Sequence, residues 1–483
     1  MEEADRYLRD GQYLEAVGAY QDIAELSPDS EMKAKAVLRM GDIYSYFLNN
    51  NEMALEKYAL VINKYGSSVH AANAHFSSGM ILYEKNRYEE ALNEFKAYVS
   101  KYPRGDRRDT AEFMIEACLR PPPKVEEKKP PMRTVVRENI RVLLASGLME
   151  VRVDSEAKFE VQDGRGKNVS ASVRTAIISL SASGIGLAGN GPSYDGLVIV
   201  PAAGKLLNLN GTPYRGEFRI AKSAKAGMDV INVLDVEDYL YGVVPKEMSP
   251  QWHIEALKAQ AVAARTYVLY QKEKSADKPY DVVSTTASQV YGGVGAEAAS
   301  SSQAVDETRG KVLLYDGRLA LAYFHANSGG MTEEASRVWS ADVPYLKGVR
   351  DDYSAKAPGC LWKYSLNTGD IRAALNKKGL GIAEIERLTP ADISPSGRVT
   401  RMKIAHDGKV SVLSGNDFRL TVDPTHVKST MFTMTEEGED VRLEGKGSGH
   451  GVGMSQWGAY IMAREGFSYV NILKHYYRGI ELR

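Results

Sequence analysis

The sequence predicts a multidomain protein: an all-α repeat solenoid followed by an α+β body whose first part is β-rich. Three observations predict it. Related segments recur through the first 120 residues, a stretch dense in Pro, Lys and Glu follows, and the remainder mixes short strand patterns with one long helical run. At 483 residues the chain has room for two or three domains with sizeable cores.

Residues 1–120 read as helical repeats. GQYLEAVGAYQDI at 11, NNEMALEKYALVI at 50 and NRYEEALNEFKAYV at 86 align so that Ala16, Ala54 and Ala91 lie 38 and 37 residues apart. Small residues where paired helices touch, aromatics around them and loops such as KYG and KYP resemble tetratricopeptide repeats, whose usual period is about 34. Such a solenoid offers a groove and no chemistry, so it either docks a partner or acts as a spacer. PPPKVEEKKPP marks a stiff, solvated linker at 121–134. Residues 135–235 alternate as short strands (IRVLL, KFEVQD, GLVIVP, GEFRIA, DVINVLDV) between Gly, Asn and Asp turns. Residues 236–483 form the mixed body.

Composition narrows the function classes. Hydrophobic and charged fractions of 43% and 25% are ordinary for globular protein, and a net charge of −1 without basic clusters leaves no footprint for nucleic acid. No apolar run has the length of a membrane span, and MEEADRYLRD reads as an acidic helical start without a signal peptide. Cys118 and Cys360 lie in different segments, so no disulfide and no zinc site is expected around either, and no cofactor is called for.

The stretch GVVPKEMSPQWHIEALKAQAVAARTYVLY, 242–270, carries the chemistry. Pro245 and Pro250 flank Glu247 and predict a stiff loop. Ser249 as a cap and Pro250 at the first position predict a helix start there. Ile254, Leu257, Ala261, Ala264 and Val268 recur at i+3/i+4 and predict one buried face. Glu247 is then either a presented proton donor or an acid favoured by a helix N-terminus.

These residues, together with AVDETRGKVLLYDGRLALAYFHANSGGMTEEASRVW, PYLKGVRDD, SGRVTRMKIA, KSTMF and GSGHGVGMSQWGAYIMAREG, resemble the stage II sporulation protein D/LytB family from about 135 to 483. The resemblance implies a peptidoglycan-directed protein of the cell envelope or periplasm. Members include lytic transglycosylases, and the LytB name records the idea of enhancing a separate cell-wall amidase. It implies glycan strands as substrate, and a wall hydrolase or envelope complex as partner through the repeats. The family acid falls on Glu247; other implicated residues fall on Arg265, Tyr345 and Lys347. Where some members carry Cys and His zinc ligands, this chain has Val283, Ala287 and Ser288, so no metal is expected.

One carboxylate suffices for a transglycosylase. Hydrolytic glycosidases use two carboxyl groups, but a sugar that attacks with its own C6 hydroxyl supplies an intramolecular nucleophile of high effective molarity. Met248 and Trp252 are expected to desolvate Glu247 and raise its pKa against the pull of a nearby helix start. A continuous helix places Arg265 about 22 Å from its start, so it is either structural or a glycan contact. Tyr345 and Lys347 alternate on an extended segment and can face one side; Lys347 either binds a sugar oxygen or is a solvated surface lysine. GKGSGHGVGMSQWG fails GxGxxG in every frame, so its glycines are expected to let backbone approach substrate or the catalytic loop, with His450, Ser455 and Gln456 as polar lining. Ser328 of NSGGMTEE is lining or a turn residue. Tyr241, Trp252, Tyr291 and Trp339 are available to stack on sugars.

Overall fold

The computed structural model of the chain describes residues 1–119 and 138–483, except 10–12, 47, 49, 86, 104, 106, 189–191, 225, 340 and 341. The linker expected at 121–134 lies outside the described residues. The chain divides into two compact units, one led by the N-terminal helices and one that carries the sheets.

The first unit is a run of helices, α1 (Glu2–Arg9), α2 (Tyr13–Leu26), α3 (Ser30–Tyr46), α4 (Asn51–Lys64), α5 (His70–Glu84), α6 (Tyr88–Lys101) and α7 (Arg108–Leu119), each packed on the next. The repeat has a steric cause. Ala16, Ala54 and Ala91 are fully buried, as are the aromatics four residues on, Tyr20, Tyr58 and Phe95. A Cβ on Gly41 would sit 2.5 Å from the Tyr58 ring, and one on Gly79 would sit 2.8 Å from the Phe95 ring. Only glycine lets helices α3 and α5 take those rings flat against their backbone.

The second unit opens with a sheet of mostly antiparallel strands in the order β10-β1-β9-β8-β5-β2-β3-β4, with β6 on β2 and β7 on β6. The strands are β1 (Asn139–Leu148), β2 (Glu150–Asp163), β3 (Val173–Ser181), β4 (Gly184–Leu187), β5 (Gly196–Val200), β6 (Leu207–Leu209), β7 (Thr212–Tyr214), β8 (Glu217–Lys222), β9 (Met228–Asp235) and β10 (Val282–Val283). β10 comes from beyond residue 236 and joins β1 in parallel, so the β-rich segment and the mixed body share this sheet. β9, on the other side of β1, is buried at every position from Met228 to Leu234.

β9 runs directly into α8 (Val236–Glu247), capped by Asp235. α9 (Ile254–Lys274) follows and packs against α8, α10 (Ala299–Glu307), α15 (Gln456–Arg464) and α16 (Tyr469–Tyr476). Two local expectations are corrected here. Glu247 is the last residue of α8, with Pro245 inside its final turn, rather than a loop residue. α9 begins at Ile254 with His253 as its cap; Ser249 and Pro250 instead form a turn closed by Trp252 N–H on the Ser249 carbonyl at 2.9 Å. Nor has α9 a single buried face: eight successive residues from Ala261 to Val268 are buried, because helices surround it.

The remainder holds β11 (Leu313–Tyr315), which lies between β12 (Arg318–Leu319) and β21 (Glu481–Leu482) and pairs with both, and β13 (Phe324–His325), which pairs in parallel with β20 (Met454–Ser455). Short helices α11 (Ala335–Trp339) and α12 (Asp352–Ala355) follow β13. A further segment makes two three-stranded sheets: β14 (Leu361–Asn367) with β18 (Phe432–Glu437) and β19 (Asp440–Lys446), and β15 (Ile385–Ile393) with β16 (Val399–His406) and β17 (Lys409–Ser414). They are joined by α13 (Thr368–Lys377) and α14 (Gly415–Val422).

Among the described residues no helix is long and apolar enough to cross a membrane.

Candidate active site

Glu247 is partly buried at the C-terminal end of α8. Its Oε1 accepts the Val290 N–H at 3.0 Å, and the Gln456 side chain also hydrogen-bonds the carboxyl. Burial pushes the carboxyl up to about 7 in spite of both hydrogen bonds, which favour the carboxylate. The backbone dipole works with burial here, because a helix C-terminus disfavours negative charge.

The loop carrying Val290 is held across both helices. Gln289 accepts the Tyr239 hydroxyl from α8 at 3.2 Å and reaches the Ala264 carbonyl of α9 at 3.4 Å, and Gly292 N–H donates to the Gly242 carbonyl at 3.1 Å. Ala287 and Ser288 lie in this same loop and Val283 ends β10 just before it; backbone and amide contacts fix the loop. From the far end of the chain, Ser455 caps α15 and places Gln456 at its first position, and Gln456 Nε2 donates to Gln260 Oε1 of α9 at 3.5 Å.

Two aromatic groups extend from the elements that carry this acid and its neighbours. Trp252, five residues beyond Glu247, packs on Trp457 and stacks on Tyr460, each at 4.7 Å between rings. On another side Tyr267, whose own proton the Glu247 charge helps to retain, lies 6.0 Å from Tyr323. Tyr323 in turn packs on Trp339 at 4.4 Å, and Trp339 on His450 at 4.9 Å. Trp339 is 39% exposed. Burial and the nearby Arg398 hold His450 down at about 3, so it is a neutral ring; its Nδ1 accepts the Val452 N–H at 3.1 Å.

Other expected site residues are placed differently. Arg265 is 1% exposed and makes a two-pronged pair with Glu237 of α8, Nε–Oε1 3.0 Å and Nη2–Oε2 2.7 Å, so its role is structural and a glycan cannot reach it. Ser328 is likewise inaccessible: its hydroxyl bonds Asp351 Oδ2 at 2.8 Å and Ser354 Oγ at 2.6 Å. Tyr345 is buried, with its hydroxyl taking the Leu321 N–H at 2.7 Å, whereas Lys347 is at the surface between Glu334 and Asp342. Tyr345 and Lys347 therefore do not present a common face to solvent. Of the aromatics expected to stack on sugars, Tyr291 is a core ring between Tyr214 and Tyr239, and the Tyr241 hydroxyl is engaged by Asp306 and Arg309.

The glycine-rich loop approaches protein backbone. A Cβ on Gly453 would lie 2.0 Å from the Tyr323 carbonyl oxygen and one on Gly451 2.4 Å from Arg398 Nε, with φ of +72° and +83°. These glycines seat the strand before Gln456 against β13, which is how residue 456 reaches residue 247. Arg398 closes the assembly by donating from Nη2 to the Ser328 carbonyl at 2.6 Å.

Sequence reasoning missed Gln260, Gln289, Tyr323 and Trp457. A signal existed for Gln260: it is the single amide inside the apolar stretch Ala259–Ala264.

Comparison with known proteins matches three stretches of the chain. A family described as stage II sporulation protein matches residues 224–315, a tetratricopeptide repeat matches 73–104, and a domain of unknown function matches 359–453, the segment of two small sheets. Fold and matches together define a repeat-bearing protein with a sporulation-type α+β body. The stage II sporulation protein D of Bacillus amyloliquefaciens is 33% identical over 264 residues, covering 52% of this chain and 74% of that one. The chain belongs to the stage II sporulation protein D family. An uncharacterized protein of Brachyspira hyodysenteriae is 41% identical over 275 residues, 57% of this chain and 73% of that one. The amidase enhancer of Bacillus subtilis is 33% identical over 288 residues, 50% of this chain but only 40% of that relative's length.

Proposed function

We propose that the protein is a peptidoglycan lytic transglycosylase of the cell envelope that cleaves the MurNAc–GlcNAc bond with Glu247 as its single acid and base. The observation that carries this reading is a carboxyl held between the Val290 N–H and the Gln456 side chain and pushed up to about 7 by burial, with no neighbouring charge among the causes. A second carboxylate close enough to serve as nucleophile or base would act on that proton; one-carboxyl chemistry does not call for it.

Glu247 donates its proton to the glycosidic oxygen as the bond to the MurNAc C1 breaks. The resulting carboxylate takes the proton of the MurNAc C6 hydroxyl, whose oxygen bonds to C1 and closes a 1,6-anhydro ring. The proton is returned, no water is consumed, and Glu247 ends as it began. Trp252 with Trp457, and Trp339 with Tyr323, supply apolar faces for sugar rings on either hand of the acid. The domain of this work is 236–483 with 135–235 as its β-rich support, while 1–120 dock a protein partner.

The test is incubation of the purified chain and a Glu247→Gln variant with glycan strands stripped of stem peptides, read by mass spectrometry for anhydro-muramyl ends. Wild type should make them and the variant should not; equal yields, or none from wild type, would sink the reading.

A second reading, recruitment of a wall amidase, is favoured by the relative named amidase enhancer and by the repeats. Retention by residues 1–120 of a wall hydrolase, with no anhydro product from the whole chain, would select it.

A further inference from the structure

Gln260 is fully buried in the middle of α9, where an apolar side chain of its size would pack without cost. Its Oε1 accepts the Gln456 amide at 3.5 Å, while its own Nε2 has no hydrogen-bond partner. An orphaned buried donor is costly, so a partner for it in another state would stabilise that state. Gln456, itself buried, also bonds Glu247. The three side chains thus form a line running from a catalytic carboxyl into the core.

A group that is first acid and then base makes opposite demands on its neighbours. The carboxylate only accepts hydrogen bonds; the carboxylic acid must also donate one. A primary amide meets either demand by a half-turn of its end group, provided that whatever holds it can turn as well.

Resting on the acid–base reading of Glu247, we propose that Gln456 and Gln260 form a two-amide switch whose end groups turn over together as Glu247 gains or loses its proton. With the carboxylate, Gln456 Nε2 donates both to Glu247 and to Gln260 Oε1. With the acid, the Glu247 hydroxyl donates to Gln456 Oε1, which also accepts from Gln260 Nε2. The atom left without a partner in the first state is used in the second. Gln260 is a positioning residue that acts through Gln456 and lets both forms of the acid be bonded, which keeps its proton transferable in both directions.

Among the titratable groups on the elements packed here, Tyr239 from α8 and Tyr267 from α9 feel the Glu247 charge, and Tyr291 and Tyr460 lie on the 284–293 loop and α15. All four are pushed above the ordinary tyrosine range, Tyr267 to about 12, and stay neutral while Glu247 titrates. Lys246 precedes Glu247, with its stem along Gly292.

The experiment follows side-chain amide and carboxyl signals by NMR in the full chain, without glycan, across the pH range of the Glu247 titration. Both glutamine amides should move with the midpoint of Glu247, and Glu247→Gln should flatten them. Gln456→Met should raise the Glu247 midpoint by removing a donor to the carboxylate. Gln260→Met should raise it in the same direction, and the double variant should raise it no further than Gln456→Met alone. If Gln260→Met does not fold, Gln260→Asn, one methylene shorter, should show the same upward displacement. A Gln260 signal that stays flat, or Gln260 and Gln456 effects that add, would overturn the switch. Since no glycan is present, an inactive chain that shows the coupled titration would sink the transglycosylase reading alone.

Discussion

Arg265 and Glu237 face each other inside the body as a buried two-pronged ion pair, 1% and 2% exposed, that ties α9 to the start of α8. Glu237 Oε1 also accepts the Gly310 N–H at 3.0 Å, and Arg265 donates to the Lys311 and Val305 carbonyls. Every polar atom of the pair is engaged, which is what makes a buried charge tolerable. Since Glu247 closes the helix that Glu237 opens, this pair sets where the acid ends up.

Removing one partner leaves the other charge buried and alone. Arg265→Met is therefore expected to destabilise the body by about 3–5 kcal/mol. Arg265→Lys should also cost stability, because a lysine cannot reproduce the fork. Urea unfolding of both variants checks this. A variant as stable as wild type that has lost only glycan affinity would return Arg265 to the substrate.

The raised Glu247 carboxyl makes stability depend on pH with a definite sign. The folded chain holds this proton up to about 7, whereas the unfolded chain releases it near the ordinary glutamate value of 4.5. Between those values the native state binds more protons, so stability falls as pH rises through the window. The full effect is at most roughly 3 kcal/mol, since each pH unit between the two values is worth about 1.4 kcal/mol. Glu247→Gln should be more stable than wild type at pH 8 and lose that advantage below about pH 4.5. Chemical denaturation of both at the two pH values checks it, and an advantage independent of pH would show that the carboxyl is not raised. For catalysis the same ionisation predicts activity that falls above about pH 7, with no separate limb from His450, which stays neutral above about 3.

In the repeats, Gly41 sits inside α3 with the Tyr58 ring where its side chain would be. Gly→Ala inside a helix ordinarily gains about 1 kcal/mol of propensity. Here a Cβ 2.5 Å from the ring forces Tyr58 out of its place, and overpacking costs about 1–3 kcal/mol. Gly41→Ala should lower the thermal midpoint of the helical unit, and Gly18→Ala, which has nothing within 4 Å of its Cβ, should not. Circular dichroism on the full chain separates the two.

The legibility of this chain follows the physics of each part. The repeats are readable because a fixed steric demand, a small residue under each aromatic, recurs at fixed spacing. The acid is readable because family strings surround it. The end of α8 is hidden because Pro245 looks like a helix breaker, although it sits in the last turn of a helix that packs along α9. The α9 start is displaced from its expected place because Ser-Pro serves a turn as well as a cap. Gln260 and Gln456 meet across 196 positions of sequence, a contact that no local pattern encodes.

Three of the four tryptophans belong to two aromatic groups of the body, Trp252 and Trp457 in one and Trp339 in the other. Trp339, 39% exposed and supported from behind by Tyr323 and His450, is the one with an open face. Its removal should cost less folding free energy than loss of a core ring, since 39% of it is exposed. A ring platform that holds a sugar before and during reaction contributes to ground and transition state alike, so its loss raises KM with little change in kcat. Trp339→Ala is therefore expected to raise KM for glycan strands about tenfold, equivalent to about 1.4 kcal/mol, with only a small drop in the unfolding midpoint. Trp252→Ala should differ, losing stability too, because its ring is wedged between Trp457 and Tyr460. Steady-state kinetics on strands of graded length, alongside thermal melts, distinguish these outcomes. A Trp339→Ala variant with unchanged KM on long strands would remove this ring from the path of the glycan.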